Sequence, residues 1–582
     1  MDAKKAQRVA ALYHLWREDL YFDEETRREL TGLAESPEEV FDRFYADLEF
    51  GTAGLRGVLG AGSNRMNVYV VRRVTQALSD TIKRCGPEAC ARGVVIAYDC
   101  RHFSDVFAEE TARVLAANGI RSYVFDALRP TPELSFAVRK LNTMAGVMVT
   151  ASHNPQEHNG YKVYWEDGSQ VGAQKADEIL RYMSERDSWR IDVPAPGSWE
   201  SWRTLLGADM DESYMQAVEK TLVQPELIRE RGHDLSIVYS PLHGTGNVPV
   251  RRMLAWVGFS QVHVVPEQEL PDGSFPTVRV PNPEDPGAFA MALDLAKSRE
   301  ADIVLISDPD ADRLGLAVRD AEGVYRGFTG NQIGILLMTY LIRQKRALGH
   351  LEEDAVVVKT VASTDLAEPI ARQAGVEVRN VHVGFKFIGE QIMDMETTGR
   401  GHFLLGFEES LGYLAGTYAR DKDAVGAAVL LSEAALYYKC VEKKSLWEVL
   451  QELHEQYGYY DDTQRSITLT GINGRQTMEE IMRIMRSSTL RSLAGYTIER
   501  VEDYKARISR DLPAGTQEEI TLPEADVLRF SLQGGGFVMV RPSGTEPKIK
   551  FYYSLKSAGE DPRLRERVEE AFLAPVRHLL GE

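Results

Sequence analysis

Three aspartates at alternate positions are the clearest sign of chemistry in this sequence. Asp308, Asp310 and Asp312 follow an apolar segment in DIVLISDPDADR. A turning backbone would bring their oxygens onto one hard cation, and ligation by oxygen alone suits magnesium. A solvated acidic turn and a partial calcium loop are the alternatives, but the motif lacks the helix and the glutamate of an EF-hand. We therefore predict that the three aspartates bind Mg²⁺.

Ser152 is the candidate for a further oxygen at the same ion. It follows the apolar segment AGVMVTA and begins the turn Ser152-His153-Asn154-Pro155. Three carboxylates leave magnesium short of its six ligands, so water or a phosphate oxygen must complete the shell. A capping serine is the alternative, because Ser, Asn and Pro are common in turns. Two turns elsewhere in the chain, described next, carry residues suited to binding anions, and they favour a phosphate at Ser152.

The two turns that attract anions lie near opposite ends of the chain. Arg56 stands between glycines in GTAGLRG (51–57), and Arg541 opens the segment RPSGTEPK (541–548). The second segment combines a guanidinium, two hydroxyls and backbone N–H groups, which is a suitable set for a phosphate. Either turn alone would be consistent with a solvated surface turn. Together they indicate positive charge gathered locally for an anionic substrate.

The elements that must position these residues are short apolar strands alternating with helical patterns. Three such series indicate three α/β domains with buried, mainly parallel mixed sheets. One polar loop follows a strand in each series: the turn at Ser152, the loop at Asp308, and Glu408-Glu409-Ser410. Open α/β sheets bind ligands at the carboxyl ends of their strands, so the loops are expected to line one central cleft.

The C-terminal part has a different pattern, with successive strands and a final helix at about 562–580. This pattern predicts an α+β domain with antiparallel pairing. The predicted boundaries are 1–205 for the first α/β domain with the serine and 206–322 for the second with the metal loop. The third α/β domain is predicted at 323–460, and a linker with the C-terminal phosphate-binding domain at 461–582.

Composition limits the classes of function. The chain has 582 residues with a net charge of −19, and an acidic surface repels phosphate backbones, so we expect no nucleic-acid partner. The longest apolar stretch, 333–342, is too short to cross a bilayer, and no signal-peptide core is present. Four cysteines are too few for a disulfide framework. We predict a cytoplasmic protein with no membrane partner; the oligomeric state is left open.

Five motifs carry a resemblance to a known family. In order they are GTAGLRG, TASHNP followed by NGYK, DPDADR, GFEES and RPSGTEPK. Their order and spacing over nearly the whole chain resemble the α-D-phosphohexomutase superfamily, and within it the phosphoglucomutases of the branch that includes phosphopentomutase-like members. The resemblance implies four domains around one cleft, a catalytic phosphoserine, sugar-phosphate substrates and Mg²⁺.

The resemblance also implies a role for individual residues. Ser152 would carry the phosphoryl group and, with Asp308, Asp310 and Asp312, would bind the metal through a phosphate oxygen. Residues around the reacting groups would be Arg56, His153, Lys162, Arg313 and Lys422. Residues that contact the sugar would be Lys386, Glu408 and Ser410, and the non-reacting phosphate would be bound by Arg541, Ser543, Gly544 and Thr545.

The implied activity is the interconversion of α-D-glucose 1-phosphate and glucose 6-phosphate. The phosphoserine donates its phosphoryl group to the sugar phosphate, which gives glucose 1,6-bisphosphate. This intermediate then returns its other phosphoryl group to Ser152. The same bisphosphate would be the activator. Magnesium and arginine offset the transferring charge. The base would be Lys162 first, Lys422 or His153 second. Because lysine ordinarily has a pKa near 10.4, this role needs a lowered pKa.

Alternatives remain open. Val383 stands where the glucose enzymes' threonine is expected, so a phosphopentomutase or a sugar 1,6-bisphosphate synthase on the same scaffold is a close alternative. A hydrolase with a nucleophilic aspartate in DPDAD is another. A sensor that only binds sugar phosphates is a third, although binding alone needs neither Ser152 nor three metal carboxylates.

Overall fold

The computed structural model describes residues 3–48, 54–186, 188–195, 197–469, 474–543, 548–561 and 563–580. The chain forms two compact units. Unit 1 comprises Met1–Gly315 and Gly416–Leu436, and unit 2 comprises Leu316–Ala415 and Tyr437–Glu582.

Helices and strands alternate along most of the chain, as the sequence pattern predicts. The α-helices in the described residues are α1 (Ala3–Glu18), α2 (Glu24–Gly32), α3 (Pro37–Phe44), α4 (Val68–Arg84), α5 (Pro87–Arg92), α6 (Ser104–Ala117), α7 (Thr131–Leu141), α8 (Ala173–Ser184), α9 (Ala208–Glu219), α10 (Pro225–Arg231), α11 (Asn247–Val257), α12 (Pro266–Glu269), α13 (Ala290–Arg299), α14 (Gly330–Ala347), α15 (Ala367–Ala374), α16 (Phe385–Thr398), α17 (Ala424–Tyr437), α18 (Leu446–Tyr457), α19 (Gly474–Ser487), α20 (Leu564–Leu573) and α21 (Arg577–Leu580). The strands are β1 (Leu55–Val58), β2 (Val94–Tyr98), β3 (Ser122–Phe125), β4 (Ala145–Val149), β5 (His158–Trp165), β6 (Arg203–Leu206), β7 (Ser236–Ser240), β8 (Gln261–Val264), β9 (Ile303–Ser307), β10 (Leu314–Arg319), β11 (Tyr325–Gly327), β12 (Ala355–Thr360), β13 (Glu377–Val381), β14 (His402–Glu408), β15 (Gly412–Leu414), β16 (Tyr459–Thr468), β17 (Ser492–Leu493), β18 (Tyr496–Asp503), β19 (Ile508–Asp511), β20 (Gln517–Glu519), β21 (Leu528–Leu532), β22 (Gly536–Pro542) and β23 (Lys548–Ser557).

The first sheet of unit 1 has the strand order β1-β5-β4-β2-β3-β6. Strand β2 pairs in parallel with β3 and β4, and β5 returns antiparallel to β4 and β1. The β4 strand is buried throughout, as expected for a strand covered on both faces. Because β4 and β5 are antiparallel neighbours, the connection between them, residues 150–157, leaves the sheet at the carboxyl end of β4.

The segment 197–206, rich in Trp and Ser, completes this sheet. Trp199 is 2% exposed and belongs to the main hydrophobic core of unit 1. The residues after it form β6, which pairs in parallel with β3. The segment therefore has a packing role that the sequence alone did not indicate.

The second sheet of unit 1 carries the aspartate loop. Strand β7 pairs in parallel with both β8 and β9, and α13 packs against β7 and β9. All five residues of β9 are buried. The chain leaves β9 at Ser307, so Asp308 is the first residue beyond the carboxyl end of a buried parallel strand.

Unit 2 contains one mixed sheet and one antiparallel sheet. In the first, of order β13-β12-β14-β15, β12 pairs in parallel with β13 and β14, and β15 is antiparallel to β14. In the second, the order is β16-β23-β22-β21-β18-β19-β20 with antiparallel pairing throughout the described strands. One face of it packs on α19 and α20, whose Met482 and Phe572 are buried in the core.

The predicted fold class, α/β with mixed sheets and a C-terminal α+β part, is confirmed. The single final helix predicted at about 562–580 is wrong, because α20 ends at Leu573 and α21 begins at Arg577. The boundaries predicted at 205, 322 and 460 remain a prediction.

One helical stretch, Ala424–Glu442, is long and apolar enough to cross a membrane by length and composition. It is a longer apolar stretch than the one at 333–342. Within the structure 78% of its apolar window is buried, which is typical of a core helix in a soluble protein.

Candidate active site

Ser152 lies in the connection between β4 and β5. Its φ of 53° is in the left-handed region, which residues other than glycine rarely adopt. Its N–H donates to Thr150 Oγ1 over 2.8 Å, and the residue is 1% exposed. Such backbone conformations persist only where the surroundings fix them, and they concentrate at functional sites. The predicted nucleophile therefore lies in a turn of fixed shape.

Asp308, Asp310 and Asp312 form a compact, buried group. One oxygen from each lies within 4.8 Å of the others. The backbone turns after β9 because Ala311 has a φ of 50°, and the N–H groups of Asp312 and Arg313 donate to Asp308 Oδ1. Asp310 Oδ1 and Asp312 Oδ1 are buried and have no hydrogen-bond partner among the described residues. These oxygens fit a metal ion, so the three aspartates could hold one.

The surroundings shift the pKa values of the aspartates in this group in different directions. Burial raises the pKa of Asp308 well above its ordinary value, and the charges of Asp310 and Asp312 raise it further. Burial also opposes ionisation of Asp312, but the positive charges of Lys422 and Lys162 outweigh it and lower the pKa of this carboxyl. The surroundings therefore oppose ionisation of Asp308 and favour ionisation of Asp312.

The serine turn and the aspartate loop meet. Ser152 Oγ donates to Asp308 Oδ2 over 2.9 Å, and His153 Nδ1 lies 3.3 Å from the same hydroxyl. The two loops lie 156 residues apart in the chain. Both follow buried parallel strands, which explains how residues from separate sheets converge at one point.

Two lysines lie beside the carboxylates. Lys162 Nζ lies 2.7 Å from Asp310 Oδ2 and 3.3 Å from Asp312 Oδ2. Lys422 Nζ lies 3.3 Å from Asp312 Oδ2 and 3.1 Å from Asp421 Oδ1. Burial lowers the pKa of Lys162, but the two aspartates outweigh it, so its pKa is raised and not lowered as the predicted base role requires.

Two arginines complete the positive side of the site. Arg56 lies on β1 opposite Gly160 of β5. Burial lowers the pKa of Arg56, and the charge of Asp310 counteracts this effect. Arg313 Nε lies 3.9 Å from Asp312 Oδ1, and its Nη1 lies 3.6 Å from Glu284. Ser152 and the five residues predicted around the reacting groups therefore gather at the aspartate loop of unit 1.

The residues predicted to contact the sugar belong to unit 2. Glu408 ends β14, and Ser410 Oγ donates to Glu408 Oε1 over 2.8 Å. Lys386 lies in the first turn of α16. Burial lowers the pKa of Lys386, and the positive charge of Arg541 lowers it further, although Glu390 counteracts both effects.

The predicted phosphate turn is described in part. Arg541 lies near the end of β22, and Ser543 N–H donates to the Lys548 carbonyl over 2.7 Å. Gly544 and Thr545 lie outside the described residues. Lys386 and Arg541 interact electrostatically, so two predicted ligands of the substrate bring positive charge to one region of unit 2.

Sequence reasoning missed several residues that support the site. Thr131 Oγ1 donates to Asp310 Oδ2 over 2.8 Å, and Arg101 donates to backbone carbonyls of the serine turn. Arg101 follows the predicted strand VVIAYD, so the rule that placed the other loops at carboxyl ends of strands would have found it. Thr131 carries no comparable signal.

Four models of one family match this chain in order along its length. They describe phosphoglucomutase/phosphomannomutase α/β/α domains I, II and III, which match residues 47–189, 212–323 and 329–457, and the C-terminal domain, which matches 494–571. The chain belongs to the phosphoglucomutase/phosphomannomutase family. The predicted family and the predicted enzyme class, a mutase, are thereby confirmed.

Named relatives agree with this membership. A phosphoglucomutase of Staphylococcus aureus (strain MSSA476) is 38% identical over 520 residues, which is 89% of this chain and 91% of the relative. The corresponding protein of strain MRSA252 is 38% identical over 515 residues, 88% of this chain and 90% of the relative. The predicted phosphoglucomutase activity agrees with the name of both relatives.

Solved structures share the fold. A putative phosphomannomutase from Thermus thermophilus superposes with a TM-score of 0.67 at 23% identity, covering 92% of this chain and all of its own. The parafusin phosphoglucomutase of Paramecium, in its open form, gives a TM-score of 0.67 at 16% identity and covers 92% of this chain and 97% of its own. At these identities the likeness establishes the architecture alone.

Removing one carboxylate from the aspartate group should weaken metal binding. We expect Asp310→Asn to raise the dissociation constant for Mn²⁺ by about tenfold or more, since losing even a group that orients a ligand costs about 10- to 100-fold. Electron paramagnetic resonance of free Mn²⁺ measures this constant. Asp302→Asn, just before the opposite end of β9, is the matched control and should leave it unchanged. Equal affinities in both variants would contradict a metal site at the aspartates.

Proposed function

We propose that this protein is a phosphoglucomutase that interconverts α-D-glucose 1-phosphate and glucose 6-phosphate through a phosphorylated Ser152. The observation that carries the proposal is the 2.9 Å contact between Ser152 Oγ and Asp308 Oδ2. A transferable phosphoryl group on this serine would lie against carboxylates that could hold a metal. The family of the chain and the name of its relatives support the same reaction.

Mg²⁺ is the metal that we propose for the site. Asp308, Asp310 and Asp312 would hold it together with a phosphate oxygen on Ser152, because hard oxygen ligands favour this ion. When bound, the ion offsets negative charge on the transferring group. Asp310 Oδ1 and Asp312 Oδ1, which are buried and accept no hydrogen bond from the described residues, support this assignment.

The protein's own cations would stabilise the transferred group. Arg313 and Arg56 lie beside the aspartate group, and guanidinium groups suit the oxygens of a phosphoryl group in transit. His153 Nδ1 lies 3.3 Å from Ser152 Oγ, within reach of a proton that must return to the serine when the phosphoryl group leaves. These contacts support the roles proposed for the three residues.

Lys162 remains the first choice for the base that deprotonates the sugar hydroxyl. A base must be neutral, whereas Asp310 and Asp312 raise the pKa of this lysine against the effect of its burial. Positive charge bound at these carboxylates would offset their influence and leave burial as the dominant effect, which lowers the pKa. Lys422, the second choice, shares Asp312 as a partner but is more exposed.

Residues of unit 2 would bind the sugar and its non-reacting phosphate. Glu408 would accept hydrogen bonds from sugar hydroxyls, and Ser410 would donate a hydrogen bond to one. Lys386 would contact the same sugar. The non-reacting phosphate would bind at 541–545, through Arg541, Ser543, Gly544 and Thr545. The positive charge that Lys386 and Arg541 contribute to one region supports a phosphate there.

We also propose that the enzyme acts in the cytoplasm. Within the described part of the chain Cys85, Cys90, Cys100 and Cys440 form no disulfide, which suits a reducing compartment. The activator would be glucose 1,6-bisphosphate. A phosphopentomutase and a bisphosphate synthase remain alternatives on the same site.

Loss of the Ser152 hydroxyl should abolish the mutase reaction. We expect Ser152→Ala to lower kcat by more than about 1,000-fold, since the group that receives and donates phosphate is absent. A coupled glucose 6-phosphate dehydrogenase assay measures turnover, and intact mass spectrometry with peptide mapping locates the phosphoryl group. Ser63→Ala removes another serine hydroxyl of unit 1, which donates to the Ala46 carbonyl, and is the control. Substantial formation of glucose 6-phosphate by Ser152→Ala would contradict the phosphoserine route, and release of inorganic phosphate from glucose 1-phosphate by this variant would favour a hydrolase with an aspartate nucleophile.

A comparison of kcat/KM for two sugar phosphates tests which sugar the enzyme prefers. We expect kcat/KM for glucose 1-phosphate to exceed that for ribose 1-phosphate by at least about tenfold, because a pentose offers fewer hydroxyl groups to the proposed sugar-binding residues, such as Glu408. Steady-state kinetics with both substrates on the same enzyme preparation measures the ratio. Comparable values would replace the hexose assignment with a phosphopentomutase.

A further inference from the structure

Arg101 donates hydrogen bonds to several backbone carbonyls of the serine turn. Its side chain is fully buried. Nη2 donates to the carbonyls of Ser152 and Asn154, and Nη1 donates to the carbonyls of Pro155 and His158, all between 2.5 and 3.0 Å. One guanidinium thus donates to three backbone carbonyls of the connection between β4 and β5 and to the carbonyl of His158, the first residue of β5.

The N–H of Ser152 is tied to the same buried charge pair. Asp99 Oδ2 lies 3.3 Å from Arg101 Nε and accepts a hydrogen bond from Thr150 Oγ1 over 2.6 Å. Thr150 Oγ1 in turn accepts from Ser152 N–H over 2.8 Å. The Ser152 carbonyl therefore accepts directly from Arg101, and the Ser152 N–H is linked to Asp99 through the hydroxyl of Thr150.

A loop from the second half of unit 1 covers the guanidinium. The Arg101 guanidinium carbon lies 5.0 Å from the centre of the Phe275 ring, and Phe275 is 2% exposed. Gly273 lies so close to the backbone that a Cβ there would meet Arg101 C at 3.0 Å and His102 N at 2.7 Å. Backbone carbonyls, Asp99 and an aromatic ring therefore surround the guanidinium, and these contacts restrict its orientation.

We propose that Arg101 is a positioning residue for phosphoryl transfer, which keeps Ser152 in its left-handed conformation and its hydroxyl against Asp308. The inference rests on the proposed function, because it assigns Arg101 to the placement of the proposed phosphoserine. Its hydrogen bonds to the described residues go to the backbone of the turn that carries the hydroxyl and of the first residue of β5, so it acts through the turn. Without it, the φ of 53° at Ser152 loses the contacts that fix it.

The planar fork of arginine is what this role requires. Lysine would keep the positive charge but presents a single compact ammonium, which cannot reach four carbonyls on two sides. Several carbonyls of the turn would then lose their partner, and the turn would relax away from its present shape. A displacement of about 1 Å in a reacting group can cost about 100-fold in rate.

Arg101→Lys tests the inference directly. We expect kcat per folded and phosphorylated enzyme to fall by about 100-fold, while KM for glucose 1-phosphate changes by less than about threefold, since the substrate-binding residues are untouched. Hydrogen exchange followed by mass spectrometry should show faster exchange of the amides in 151–158. Intact mass gives the phosphorylated fraction used for normalisation.

Arg73→Lys is the matched control. Arg73 is also buried, donates to the carbonyls of Met183 and Arg186, lies 3.4 Å from Asp47 and stacks on Trp189. It should lower the melting temperature as Arg101→Lys does without lowering kcat per folded enzyme. Equal kcat in the two variants, or equal protection of 151–158 in Arg101→Lys and the unaltered protein, would overturn the inference.

Thr150→Val provides an independent test if Arg101→Lys does not fold. This near-isosteric change removes the hydroxyl between Asp99 and Ser152 N–H, and it should lower kcat with little change in KM. An unchanged kcat would overturn the inference. Failure of the proposed function is recognised separately, because the unaltered protein would then lack turnover and phosphoserine while the exchange measurement still reports on the turn.

Discussion

The repulsion among three buried carboxylates is the constraint on which the rest of the site depends. Their oxygens lie within 4.8 Å of one another, and each is removed from water, so positive charge must be supplied nearby. Lys162, Lys422 and Arg313 supply part of it from three separate chain segments. A negatively charged phosphoserine beside Asp308 would add to the demand. A divalent cation at the aspartates is the simplest way to meet it.

Sheet topology makes this concentration of charge feasible. Strand β4 of the first sheet and strand β9 of the second both end at the site. Each is buried along its length, which fixes the position at which its loop begins. The loops are then tied down by buried partners: Arg101 for the serine turn, and Thr245, whose hydroxyl and N–H both donate to the Pro309 carbonyl, for the aspartate loop. The scaffold thus keeps in place a group of charges that would otherwise separate.

Much of this arrangement could be predicted from the sequence. Strands β4 and β9 are continuous apolar segments, and Ser152 and Asp308 follow them at positions where α/β sheets bind ligands. The supporting residues are harder to find, because Thr131 and Thr245 act through contacts between loops distant in the chain. The break between α20 and α21 falls at Pro575, whose ring and missing N–H interrupt a helix, so the sequence carried a signal for it that the prediction did not use. The raised pKa of Lys162 depends on distances to Asp310 and Asp312 that no sequence pattern gives.

The central claim is that a phosphoryl group on Ser152 lies beside a divalent ion held by the aspartates. Phosphorus-31 nuclear magnetic resonance of the phosphorylated protein, titrated with Mn²⁺, tests it most directly. Bound Mn²⁺ relaxes only nuclei close to it, so the account predicts that the phosphoserine resonance broadens beyond detection as the ion binds. A resonance that stays sharp while Mn²⁺ is bound would contradict the account.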